Sequence, residues 1–313
     1  MGETSSSKTS RRADLACGRW RDEGWAMAAR LQVTRIRVVR VGALVGLAVL
    51  ASGCVNYVAL GDSYTAGPVI ATQQTNPAGC LRSDHNYPHL VALSLNGALL
   101  HDVSCSGAIT DNMTQAQSVP GGSNPPQFNA LDANTQAVSL TIGGNDIGFV
   151  TIAENCSSPV NSGTPCQDRY VVNGDDTIAD SIFAAAPKVA TVLQGIHDRA
   201  PQAKVFLLGY LDILPDSGMG CYPQMPITDG DVPYLRDKEK QLNAMLQYVT
   251  VLSGDIYVDT YGQSIGRDAC QLPTVRWVEP VVPVNPAAPI HPNAAGMQAT
   301  ASMLLGAMHQ NGF

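Results

Sequence analysis

Tyr57-Val58-Ala59-Leu60-Gly61-Asp62-Ser63-Tyr64 is the stretch that decides the fold. A short apolar, β-prone run ends at a glycine, which predicts a buried strand over 55–60 that stops at a tight bend. Ser63 then falls just beyond the strand end, where a hydroxyl can be exposed. Working outward, four more β-prone segments, 98–103, 137–142, 204–208 and 256–258, alternate with helix-compatible stretches at 87–95, 176–199, 233–252 and 293–309. Strands that alternate with longer helices predict a parallel sheet covered on both faces. One domain over 54–313 is expected, with 1–53 as a leader. Loops rich in Gly, Pro, Asn and Ser are read at 120–126, 156–165 and 278–289, the last two as walls of a site.

Charge divides the chain unevenly. Of the 19 Lys and Arg, ten lie from Cys54 onward, against 22 of the 26 Asp and Glu, a net near −12 for that part. Such a surface repels phosphate backbones, so nucleic-acid partners are excluded. The remaining basic residues precede an uncharged run, 41–53, that is too short to span a bilayer. A basic segment, a short apolar run and a small-residue exit read as an export signal, with Met27 as a second candidate start. Leu50-Ala51-Ser52-Gly53-Cys54 also resembles a bacterial lipobox, which would leave a lipid on Cys54 and the protein at the outer face of the membrane.

Six further cysteines follow in the exported part: Cys80, Cys105, Cys156, Cys166, Cys221 and Cys270. Six in an exported domain suggest three disulfides, and spacing alone permits fifteen pairings. Taken in chain order they pair 80 with 105, 156 with 166, and 221 with 270. No C-x-x-C pair or histidine cluster accompanies them, which argues against zinc; no cofactor is expected, since the serine chemistry read below needs none. A monomer is expected.

Three loops on one rim and one histidine carry the chemistry. In parallel α/β sheets the loops at the carboxyl ends of the strands converge on the site. Gly61-Asp62-Ser63, Cys105-Ser106-Gly107 and Gly143-Gly144-Asn145 each follow a predicted strand directly. Ser63 needs a base to become a nucleophile. Gly107 lets a backbone N–H approach a ligand, and Asn145 offers amide donors to a developing oxyanion. His291, stiffened by Pro289 and Pro292 and set before a helix, is the one histidine positioned to serve as that base. Each block alone is weak, since a serine after a strand is more often a helix cap.

In the order Ser, Gly, Asn, His, the four blocks resemble the SGNH/GDSL hydrolase superfamily. Over 55–313 the chain is most similar in appearance to secreted actinobacterial esterases and lipases with three disulfides. That resemblance implies a flavodoxin-like three-layer α/β/α sandwich and hydrolysis of lipid or short-to-medium acyl esters. It assigns Ser63 as nucleophile, His291 as base, and Ser63 N–H, Gly107 N–H and the Asn145 amide as oxyanion hole. Asp62 is expected to bond its own turn. Carbohydrate O-acetyl ester hydrolysis is the alternative, and a noncatalytic binding module the third. One departure matters: the family's Asp three residues before the histidine is Ala288 here. The expectation is that the Ala288 carbonyl takes the place of that carboxylate on the imidazole, as in some actinobacterial members, and that the His291 pKa is correspondingly low.

Overall fold

The computed structural model describes residues 54–95 and 98–313, so the leader expected over 1–53 lies outside the described residues. Five strands form the central sheet: β1 (Asn56–Gly61), β2 (Leu99–Asp102), β3 (Ala137–Thr141), β4 (Lys204–Leu208) and β5 (Ile256–Val258). Their order is β2-β1-β3-β4-β5 and every pairing is parallel. All five lie within two residues of their predicted bounds. The flavodoxin-like order reverses direction between β1 and β3, which opens a crevice at the carboxyl ends of those two strands. Gly61 pairs with Thr141 there, so the turns carrying Ser63 and Asn145 start level with each other.

The helices are α1 (Ser63–Ala66), α2 (Tyr87–Ser94), α3 (Phe149–Cys156), α4 (Pro165–Tyr170), α5 (Thr177–Arg199), α6 (Val232–Leu252), α7 (Thr260–Ser264) and α8 (Ala294–Gln310). Alternate side chains along each strand feed two cores. Val58, Leu60, Val138, Leu140, Val205 and Leu207 pack with residues of α5 and α6 such as Val189, Leu193, Leu242 and Leu246. Tyr57, Ala59, Phe206, Leu208 and Val258 pack on the other face with Tyr87 and Val91 of α2 and Met297, Ala301 and Leu304 of α8. This is the three-layer sandwich, and Val55–Phe313 forms one compact unit. No helix among the described residues is long and apolar enough to cross a membrane.

Disulfides join Cys80 to Cys105, Cys156 to Cys166 and Cys221 to Cys270, the pairing in chain order. The first holds the segment that leads into Gly107, and closing a loop of 25 residues constrains the unfolded chain by about 3 kcal/mol. The segment read as a loop at 120–126 is partly ordered: Gly122–Asn124 pairs antiparallel with Gln117–Val119. Asn124 is buried there and donates to the Val103 carbonyl, which a composition-based reading could not foresee.

Candidate active site

The Ser63 turn is built from contiguous residues. Gly61 has φ +127°, and a Cβ there would lie 2.5 Å from Thr65 Oγ1 and 2.6 Å from the Thr141 carbonyl, so only glycine fits. The Gln127 side chain clamps both of its backbone groups: Oε1 accepts from Gly61 N–H at 2.7 Å and Nε2 donates to the Gly61 carbonyl at 2.9 Å. Asp62 caps α1, its Oδ1 accepting from Tyr64 N–H at 2.9 Å. Its other oxygen accepts from the Tyr210 hydroxyl at 2.5 Å, and that hydroxyl accepts in turn from Gly144 N–H at 2.7 Å. Tyr210 therefore ties the Ser63 turn to the Gly143-Gly144 turn. Burial raises the Asp62 carboxyl to about 7, against the opposing pull of the bonds from Tyr210 and Tyr64.

His291 meets this turn from the far end of the chain. Its Nε2 lies 2.7 Å from Ser63 Oγ, and its Nδ1 lies 2.7 Å from the Pro289 carbonyl oxygen. A carbonyl only accepts, so Nδ1 carries the proton and Nε2 presents its lone pair to the serine hydroxyl. Here the expectation of the Ala288 carbonyl is corrected. Ala288 O accepts the His291 main-chain N–H at 3.2 Å, closing a tight turn, and the ring folds back onto the next carbonyl along the chain. Inside that turn Ile290 adopts φ +55°, an uncommon conformation for a β-branched residue. Its carbonyl accepts from the Tyr64 hydroxyl at 2.8 Å, which fastens the histidine turn to α1. Burial lowers the His291 pKa, and the bond to Pro289 opposes this only in part.

A single carboxylate organises the loop behind the histidine. Glu279 is fully buried and takes two bonds from Arg276, at 3.1 and 2.7 Å. It also accepts from Asn293 Nδ2 at 2.8 Å, from Asn285 Nδ2 at 2.7 Å, and from the backbone N–H groups of Val284 and Asn285. Its own N–H donates to the His291 carbonyl at 3.0 Å. Burial alone would raise this carboxyl, but the bonds from Arg276, Asn293, Asn285 and Val284 bring it down to about 2. Asn293 also caps α8 through Gly296 N–H.

Gly107 and Asn145 face the same rim. Gly107, φ +79°, follows the Cys105 disulfide, and the Gln117 side chain donates to the preceding Ser106 carbonyl at 2.8 Å. Asn145 Nδ2 donates to the Ala108 carbonyl at 3.0 Å, which fixes the amide beside the Gly107 turn and leaves a second amide hydrogen. Among the described residues, the N–H groups of Ser63 and Gly107 have no acceptor. An open groove of about 360 Å³ runs past His291, walled by Val150, Glu154, Ser157, Val281 and Ala288. The loops read at 156–165 and 278–289 thus each contribute to its wall. No group of three or more potential metal ligands occurs among the described residues.

Residues 59–299 match the GDSL-like lipase/acylhydrolase family. The chain belongs to that family. This GDSL hydrolase is 40% identical over 252 residues to Lipase 2 of Streptomyces coelicolor, covering 79% of this chain and 83% of the relative. It is 30% identical over 244 residues to an esterase of Streptomyces scabiei, covering 67% and 71%. Among solved structures it resembles an extracellular lipase from Streptomyces rimosus (TM-score 0.65, 25% identity, 82% of this chain and 99% of that one). It also resembles phospholipase A1 from Streptomyces albidoflavus (TM-score 0.68, 26% identity, 82% and 99%). The GDSL hydrolase is accordingly a carboxylic ester hydrolase, of lipase or esterase type.

Sequence reasoning missed the residues that hold this hydrolase's site together: Tyr210, Gln127, Tyr64, Glu279 and the Pro289 carbonyl. Tyr210 had a findable signal, since it lies two residues past the carboxyl end of β4, on the rim where the other loops converge. Arg276 and Glu279 are spaced three apart, as an ion pair allows, but nothing local in the sequence ties that pair to the histidine.

Proposed function

We propose that this GDSL hydrolase is an exported esterase or lipase that cleaves acyl esters through a Ser63–His291 pair and an acyl-enzyme. The observation that carries the reading is the 2.7 Å contact of His291 Nε2 with Ser63 Oγ while Nδ1 is committed to a carbonyl. His291 takes the hydroxyl proton as Ser63 Oγ attacks the ester carbonyl carbon. Negative charge builds on the carbonyl oxygen, where Ser63 N–H, Gly107 N–H and the Asn145 amide stabilise it more than they stabilise the ground state. The imidazolium then gives its proton to the departing alcohol, and water repeats the sequence on the acyl-enzyme. Pro289 orients the ring without a negative charge, so the imidazolium gains less stabilisation than a carboxylate would provide.

Three disulfides and the likeness to an extracellular lipase support export. Intact-mass measurement of the exported protein distinguishes cleavage ahead of an acylated Cys54 from release without lipid, and a monomer is the assembly proposed. The catalytic reading is tested with a fluorophosphonate probe and an ester assay. Ser63→Ala abolishes labelling and lowers kcat by about a millionfold, as the loss of a serine nucleophile does elsewhere. Labelling that persists in Ser63→Ala rejects it.

A further inference from the structure

Asp146, the residue after Asn145, has a side chain only 1% exposed and takes no part in the chemistry above. Both of its oxygens are committed to one residue of the neighbouring loop. Oδ2 accepts from the Thr110 N–H at 3.0 Å and Oδ1 accepts from the Thr110 hydroxyl at 2.5 Å, and Thr110 is itself buried. Lys188 Nζ of α5, half exposed, lies 3.9 Å from Oδ1 and partly offsets the charge. Thr110 stands three residues beyond Gly107. The Gly107 loop is therefore tethered on both sides. Ahead of the glycine are the Cys80–Cys105 disulfide and the Gln117 bond to Ser106; behind it are Asn145 at Ala108 and Asp146 at Thr110.

An oxyanion hole works only if its donors all come within about 2.7–3.1 Å of one oxygen. The Gly107 N–H and the Asn145 amide sit on different loops, so the gap between those loops has to be fixed. Asn145 cannot fix it alone, because the side chain that bonds Ala108 is the same one that must meet the oxyanion. Asp146 can. It shares the turn after β3 with Asn145, a turn closed by Ile147 N–H on the Gly143 carbonyl and Gly148 N–H on the Asn145 carbonyl, and it grips the other loop with two bonds. We propose that Asp146, acting through Thr110, is the positioning residue that sets the spacing of the oxyanion donors. The proposal rests on the hydrolase reading of Ser63 and His291 and deepens it.

The experiment separates spacing from charge. Asp146→Ala removes both bonds and the charge, whereas Asp146→Asn removes the charge alone: its Oδ1 still accepts from the Thr110 N–H, and its Nδ2 donates to the hydroxyl. Loss of a negative charge near a developing one would by itself speed both variants. Two quantities are read, the turnover of p-nitrophenyl butyrate and the Ki of a trifluoromethyl ketone. Ser63 Oγ adds to the ketone carbon, its proton passes to His291, and the ketone oxygen becomes an oxyanion in the hole. Asp146→Ala lowers kcat by about tenfold to a hundredfold with KM within about twofold, and raises Ki by the same factor. Asp146→Asn recovers most of both losses. Thr110→Val, which keeps the main-chain bond, loses less than Asp146→Ala and decides by the same paired readout if melting curves show that Asp146→Ala does not fold. Folded variants with unchanged kcat overturn the proposal. So does a fall in kcat with Ki unchanged, or an Asp146→Asn as slow as Asp146→Ala. Fluorophosphonate labelling of wild-type Ser63 is the control: if it fails, the serine mechanism itself falls, whereas intact labelling with any of those outcomes rejects the role of Asp146 alone.

Discussion

The turn that carries Ser63 and the loop that carries His291 each enclose a buried carboxyl, and the two are shifted in opposite directions from their ordinary values. Asp62 receives one hydroxyl and one backbone N–H, all neutral donors, and burial holds its carboxyl up at about 7. Glu279 is buried as deeply but receives a guanidinium, two amides and two backbone N–H groups, which bring it down to about 2. Burial pushes both upward; Asp146 adds to the rise at Asp62, whereas the bonds from Arg276, Asn293, Asn285 and Val284 reverse it at Glu279. The consequences for stability have opposite sign. The Asp62 contribution is full below its ordinary 3.8 and is lost as pH rises towards about 7. The Glu279 contribution is full above its ordinary 4.5 and is lost as pH falls through about 2. An ionised hub suits a loop that must hold an imidazole in place through backbone alone.

The sharpest way to break this contrast is to neutralise the hub. Glu279→Gln keeps the shape but leaves Arg276 buried without its partner, a loss of about 3 kcal/mol or more. Because the loop then presents His291 less accurately, kcat falls by about tenfold to a hundredfold with KM within about twofold, measured below the variant's melting temperature. An unchanged kcat in folded protein would show that the loop holds its histidine without Glu279.

On the serine side the corresponding change is Tyr210→Phe, which strands Asp62 Oδ2 and Gly144 N–H together. Urea unfolding should show a loss of about 2 kcal/mol, and the rate should fall less than in Glu279→Gln because Gln127 still clamps Gly61. A rate loss larger than that of Glu279→Gln would reverse the ranking of the two regions.

The difference between the regions also explains what could be read from the chain. The readable part of the Ser63 turn is local: strand, glycine, capping aspartate and serine are neighbours, and the Asp62 cap on Tyr64 N–H lies two residues away, while the bonds from Gln127 and Tyr210 come from far along the chain. The sheet was legible for the same reason, since each strand is a short apolar run between turn residues. The histidine loop is not local. Arg276, Glu279, Val284, Asn285 and Asn293 meet around one carboxylate in a segment with no period and five prolines, so its bonds leave no pattern to find. The acceptor on the ring shows the limit in one atom. Counting back three positions led to Ala288, whereas the left-handed Ile290 turns the imidazole onto Pro289.

The smallest expected effect restores what this chain lacks. Ala288→Asp sets a carboxylate near the imidazole, which favours its charged form and moves the acid limb of kcat/KM to higher pH. The limiting rate should change by less than about threefold, because the Pro289 carbonyl already orients the ring. An acid limb that stays in place would mean that the introduced carboxylate is screened or turned away from Nδ1.

The proposed catalysis requires a proton to pass from Ser63 Oγ to a His291 whose pKa burial has lowered. Its most direct test is the rate of Ser63 phosphonylation by a fluorophosphonate as a function of pH, in wild type and in His291→Asn. The prediction is a single acid limb with its midpoint below the ordinary imidazole value of 6.5, and a slow, pH-flat reaction in the variant. The same limb and the same rate in His291→Asn, or modification of a residue other than Ser63, would contradict it.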